Sequence, residues 1–436
     1  MDNIVINIKQ LTEWYLQNDI TRMIIIFLGF IMLLAFISYV ISKKMNVPSV
    51  VGYIIIGALF STSVVGHLKF LPANFTDYYN LIIRNFNFIA YITLNFVAFL
   101  IGLDLSVRIV RTLGKNIIIM SVCEALGAFL LVLFGLMWIG HLPFYQALVL
   151  GALASATAPP ATVMIIKALK SRGPLTSTIL AIVGFDDAIS LIIYSFASPI
   201  ARTYASGSGH FSLYAALAVP LFKIAVSMLI GGIGGYFAIK LLKKFRDKQE
   251  KVLIIFALIF IISAIASYFD LSQLLTNMAA GFVVRNTAKH YLGLSDVFDI
   301  IMVPLYALFF IISGLKLKIT LITNAGFILI SIIYLIARML GKILGAASGA
   351  TISKAPPVVK KYAGFGLLSQ VGVALALAYI IEQEFKAVPG FGALVFNLLL
   401  FTTFFTETIG PILLKVVLIK SGESNIPSQN ALGRKK

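Results

Sequence analysis

Charge is scarce in this sequence. Asp, Glu, Lys and Arg make up 12% of its 436 residues, against 60% hydrophobic ones, whereas a water-soluble domain carries about 25% charged residues. That shortage excludes a chain wetted on every side and leaves one whose surface faces lipid. Cysteine is nearly missing. Cys123 stands alone in an apolar run, so no disulfide framework can form. Walker loops, zinc-ligand spacings, dinucleotide fingerprints and Ser/His/Asp arrangements are absent too, so no enzyme activity and no cofactor are expected. The four histidines, His67, His141, His210 and His290, fall in loops, where a solvated side chain is the ordinary case. No cleavable leader is expected either. Asp2, Glu13 and Asp19 replace a basic start, and Ile4, Ile8, Leu11 and Tyr15 recur at helical spacing, so residues 1–22 are expected to form an interfacial helix.

What is present is a series of thirteen apolar runs between Met23 and Ile419, each near the roughly 20 residues a helix needs to cross a bilayer. The net charge of +18 would suit nucleic acid if it were gathered on one face, but the basic residues sit between the runs. Lipid, not nucleic acid, is the expected surroundings. Lys and Arg divide about three to one between alternate loops, which places the N-terminus outside and the C-terminus in the cytoplasm of a multi-pass protein of the cell (inner or plasma) membrane.

The chain also resembles itself. Phe99–Leu105 (FLIGLDL) parallels Ile311–Leu317 (IISGLKL), and Gly57, after Ile54–Ile56, parallels Gly281, after Met278–Ala280. Spans one to six then repeat as spans eight to thirteen, with span seven as connector. Because seven is odd, the two copies enter the membrane in opposite directions. The expected fold is an all-α membrane protein of 13 transmembrane helices in two inverted six-helix repeats. Such repeats mark secondary transporters, whose site lies near the midplane where the copies meet.

The polar residues inside the spans carry the chemistry. Asp186 and Asp187 are adjacent in mid-span, where a carboxylate costs at least about 2.5–3.5 kcal/mol and is functional by default. One span earlier, Pro159 and Pro160 should break the helix, freeing carbonyls near Ser155 and Ala156 beside the hydroxyls of Ser155, Thr157 and Thr162. The matching span of the second repeat, Gly364–Val373, is glycine-broken and holds Ser369 and Gln370. Interrupted helices in equivalent positions point to a transport site. Arg338 and Lys342 share one face of span eleven, and Glu124 lies in span four. Glu124 precedes Gly127 by three residues as Arg338 precedes Gly341, so a Glu124–Arg338 ion pair is expected, with Lys342 left for the aspartates. Glu407 falls where the repeat would put the aspartates. Lys223, in span seven, reads as a lysine snorkelling to the interface or anchoring a dimer face.

With these motifs in hand, the chain resembles the cation:proton antiporter-2 family, and within it the NapA/GerN-type bacterial Na+/H+ antiporters. The likeness rests on Thr157–Thr162 (TAPPAT), the Asp186–Asp187 pair and Leu340–Gly345 (LGKILG). The resemblance implies an antiporter fold with two discontinuous crossing helices, and a homodimer in which a core domain moves against a dimerisation domain. It implies that Asp187 carries the ion, that Asp186 pairs with Lys342, that Glu124 and Arg338 pair inside the core, and that exchange is electrogenic because the first aspartate is retained. The expected division is 23–115 and 252–318 for dimerisation, 116–200 and 319–420 for the core, 201–251 as linker and 421–436 as cytoplasmic tail, with no nucleotide-binding domain. A K+/H+ exchanger of the same mechanism, or a sodium-coupled organic anion symporter, is the alternative.

Overall fold

A computed structural model describes residues 2–45, 48–66, 75–105, 107, 114–206, 213–245, 247–287 and 294–424. His67, His210 and His290, the loop arginines Arg108 and Arg111, and the end of the tail lie outside the described residues. His141 is described and sits in a turn with φ of 52°.

Among the described residues every regular element is helical. The chain begins with α1 (Asp2–Met45), α2 (Ser49–Leu59), α3 (Thr62–Val65), α4 (Phe75–Asn85), α5 (Asn87–Asp104) and α6 (Lys115–Trp138). There follow α7 (Phe144–Ala154), α8 (Pro159–Ala168), α9 (Pro174–Ala205), α10 (Leu213–Leu242), α11 (Lys248–Tyr268) and α12 (Gln273–Thr287). The last are α13 (Leu294–Leu315), α14 (Ile319–Ile322), α15 (Ala325–Ile352), α16 (Pro357–Tyr362) with a 3-10 turn at Ala363–Leu367, α17 (Gly372–Glu384) and α18 (Phe391–Lys420).

Among the described residues, eight helices are long and apolar enough to cross a bilayer, and a ninth span is formed if the pair 357–367 and 372–384, bent by 47°, is taken together. Three shorter apolar helices, 49–65, 144–154 and 300–315, accompany them. This is a multi-pass membrane protein. The 44-residue α1 would be about 66 Å long at 1.5 Å per residue, twice the hydrocarbon thickness. Its apolar part is Arg22–Met45, and the described part of the segment expected as an interfacial helix, residues 2–22, runs into it without a break.

The chain divides into a unit of residues 1–93 with 299–320 and a unit of 94–298 with 321–436. In the first, α2 lies close against α1, where a Cβ on Gly52 would meet the Ser38 hydroxyl at 2.6 Å, and Phe27 meets Tyr79 edge-on at 5.4 Å.

The second unit holds every candidate polar residue, and its tightest contact is between α6 and α15. Gly341, Gly345 and Gly349 recur every four residues, so they form one stripe along α15. A Cβ at Gly341 would lie 2.6 Å from Ala128 Cα, at Gly345 2.8 Å from Glu124 Cα, and at Gly349 2.7 Å from Met120 Cα. Small residues allow this backbone-to-backbone approach, which is how membrane helices gain packing energy without a hydrophobic drive. The same unit secures the start of α9. Glu423, beyond α18, accepts from the backbone N–H groups of Leu175 and Thr176 at 2.8 and 2.7 Å and from the Thr176 hydroxyl at 2.6 Å. A side chain at position 173 would collide with that carboxyl, so glycine is required there.

Candidate functional site

Two interrupted helices lie against each other. The first stops at Ala154 and resumes at Pro159. Proline suits the opening turn of α8 because its missing N–H would have no partner there. The second gives way to residues 368–371 before α17 begins at Gly372. The breaks are stitched together: Ala158 N–H donates to the Ser369 carbonyl at 2.9 Å, Thr162 Oγ1 to the Gly366 carbonyl at 3.1 Å, and Gln370 Nε2 to the Leu153 carbonyl at 2.7 Å.

Arg338 fastens both. Its Nε donates to the Ala154 carbonyl at 3.1 Å, Nη1 to Leu368 at 2.6 Å, and Nη2 to Ala156 at 2.8 Å and Ser369 at 3.3 Å. A planar fork of five donors is suited to serving several carbonyls at once, and backbone groups freed inside a membrane must find such partners.

One turn along α15, Lys342 Nζ donates to the Ser155 carbonyl at 2.5 Å, to Thr157 Oγ1 at 2.8 Å and to Asp186 Oδ2 at 2.7 Å. These use its three protons. Its fourth neighbour, Glu124 Oε1 at 2.5 Å, is held as an ion pair without hydrogen-bond alignment, and Glu124 Oε2 takes no hydrogen bond. Glu124, Asp186 and Lys342 are all fully buried. Thr157 also donates to Asp186 Oδ2.

Asp187 is placed differently. Neighbours on a helix point about 100° apart, so Asp187 turns away from Lys342. It is 3% exposed, and its Oδ1 is buried without a hydrogen-bond partner.

The arrangement corrects two sequence expectations. Glu124 pairs with Lys342, not with Arg338. The reason is register: the Glu124 backbone abuts Gly345, one turn from Lys342 but two turns from Arg338, whose donors the carbonyls already occupy. The carbonyls of Ser155 and Ala156, expected to be open for a cation, are held by Lys342 and Arg338. The Ser155 hydroxyl donates within its own turn, to the Ala152 carbonyl at 2.6 Å. Pro160 follows Pro159 in the first turn of α8. Ser369 and Gln370 lie in the second break, where Gln370 also donates to the Tyr334 hydroxyl at 2.9 Å. Glu407 is 2% exposed, with Oε1 unpartnered, and lies within electrostatic reach of Arg338 and beside Ser369 rather than at the aspartates. Lys223 pairs with Asp270 at 2.5 Å.

One ammonium between two carboxylates leaves a net negative charge when all three are ionised, and Asp187 adds a further acid beside them. In a low-dielectric interior such a group favours uptake of a proton or a cation.

The profile of the transmembrane sodium/hydrogen exchangers matches residues 31–420. The ammonium/H+ antiporter subunit AmhT of Alkalihalophilus pseudofirmus is 22% identical over 82% of this chain and 87% of its own length. The high-affinity Na+/H+ antiporter NhaS3 of Synechocystis sp. is 25% identical over 70% of this chain and 66% of its own. Among solved structures, the sodium proton antiporter MjNhaP1 of Methanocaldococcus jannaschii covers 93% of this chain and 99% of its own, with a TM-score of 0.70 at 16% identity.

Proposed function

Since the chain belongs to the transmembrane sodium/hydrogen exchanger family, and so to transporters rather than enzymes, we propose that it exchanges Na+ or Li+ for H+ across the cell membrane, with Asp187 taking either ion in turn. One observation carries this reading. Asp187 is buried with an unpartnered oxygen and, among the described residues, no ion pair, while Asp186 beside it keeps Oδ1 unpartnered but has Oδ2 engaged by Lys342 and Thr157.

Proton and metal ion compete for the Asp187 carboxylate, and this competition alone couples the two fluxes. An occupied Asp187 is neutral and can move past lipid-facing protein; an empty, charged one is too costly to move. Arrival of the cation loosens the Asp186–Lys342 pair, whose release of a proton makes exchange electrogenic. Thr157 and Ser155 border the ion.

The inverted repeat is supported by glycine contacts. Gly57 lies backbone-close to Gly314, and Gly102 close to Met278 and Phe282 on the helix of Gly281. The correspondences 57 to 281 and 102 to 314 turn the first contact into the second. In this reading all thirteen spans are transmembrane, with the N-terminus outside. The core, 116–200 and 319–420, moves against 23–115 and 252–318 in a homodimer.

Dissipation of a pH gradient in proteoliposomes, followed by dye fluorescence on addition of Na+, Li+, K+ or NH4+, tests the reading. Na+ or Li+ should act at lower concentration than K+ or NH4+. No response to any of the four would sink it.

A further inference from the structure

The face of α9 that carries Asp187 continues beyond it. At 100° per residue, Tyr194 and Ser198 lie within about 20° of Asp187 around the helix axis, and about 10 and 16 Å further along it. Both are buried. Their hydroxyls converge on one oxygen of Glu384, the last residue of α17: Tyr194 donates to Oε2 at 2.8 Å, and Ser198 donates to the same atom. Two donors on one oxygen fix the carboxylate's orientation, and Oε1 takes no hydrogen bond among the described residues. Arg202, one turn past Ser198 and exposed, makes no ion pair with Glu384, nor does the exposed Lys386. Glu384 is thus a half-buried acid with a fixed pose and an open oxygen, in no ion pair among the described residues although Arg202 lies within electrostatic reach of Tyr194, at the far end of the Asp187 face.

We propose that Glu384, held by Tyr194 and Ser198, is a second binding station for the transported monovalent cation, at the mouth of the path to Asp187 on the side where α9 ends. This rests on the exchange reading above. A fixed anion in a cleft raises the local cation concentration and the rate of capture. Glu384 Oε1 and the two hydroxyl oxygens offer the hard oxygen ligands such cations take. Tyr194 stands between the two carboxylates, so a captured ion passes its ring on the way to Asp187.

The test uses the full-length protein in right-side-out and everted vesicles. Wild-type Na+-driven exchange must be present; its absence removes the underlying reading. Given that exchange, Glu384→Gln raises the apparent KM for Na+ at least about threefold at low ionic strength when Na+ is on the α9 C-terminal side. Glu384→Asp recovers part of the affinity, and choline chloride shrinks the difference by screening. The KM for Na+ supplied from the opposite face stays at the wild-type value, which a misfolded variant would not reproduce. An unchanged KM on the α9 C-terminal side, or equal losses from both sides, overturns the proposal.

Discussion

Glu124 and Lys342 meet at 2.5 Å across two helices that glycines bring to backbone distance. Arg338, two turns from that meeting point, is spent on carbonyls. A double-mutant cycle should therefore couple Glu124→Gln to Lys342→Met more strongly than to Arg338→Gln, by about 1 kcal/mol or more. Thermal unfolding of the purified variants measures both couplings; equal values would contradict the pairing.

Asp187→Asn should abolish exchange and leave a folded, monodisperse protein, because an amide cannot exchange a proton for a cation. Retained exchange, read by the same dye assay, would remove Asp187 from its role.

Competition at one carboxylate also sets the pH dependence. Below the pH at which the site is half-protonated, each unit of acidification should raise the apparent KM for Na+ toward about tenfold, while the maximal rate at saturating Na+ changes far less. A KM flat across pH would mean that proton and cation use separate groups.

Lys342→Ala leaves Glu124 and Asp186 facing each other without their shared ammonium. Removing one partner of a buried ion pair costs about 3–5 kcal/mol, so the variant should melt at a clearly lower temperature. What exchange survives should respond less to an imposed membrane potential, since the lysine no longer moves a charge. Voltage dependence like that of the wild type would argue against its part in coupling.

Glu423→Gln should weaken the start of α9. The carboxylate accepts two backbone N–H groups and a hydroxyl there, and an amide keeps one acceptor oxygen and no charge. A loss of about 1 kcal/mol is expected, seen as a modest fall in melting temperature with exchange retained. No change in melting would show that this cap contributes nothing.

Several of these features are legible in the sequence because they depend on single residue types. Proline cannot continue a helix, so the break before Pro159 is written in the chain. Acids in mid-span advertise themselves by their cost. The meeting of Lys342 with Asp186 follows once both must be buried. What the chain does not display is register. Whether Glu124 faces Lys342 or Arg338 depends on how far α6 slides along the glycine stripe of α15, a matter of a single turn. Glu423 capping a helix 247 residues earlier leaves no local trace, since an acid near a chain end looks like any solvated charge. Glu384 is similar: its hydroxyl partners sit on another helix, and only their shared face with Asp187 hints at the grouping.

The distance in sequence between Arg338 and the carbonyls it serves, 184 residues for Ala154, matters while the protein is being made. The first interrupted segment enters the membrane long before the arginine has been synthesised. In that interval its exposed carbonyls meet only water or lipid, and in hydrocarbon each would cost several kcal/mol. The segment therefore cannot settle at its final depth on arrival. Completing the site requires the delivery of α15, so threading the early helices and assembling the break are separable steps.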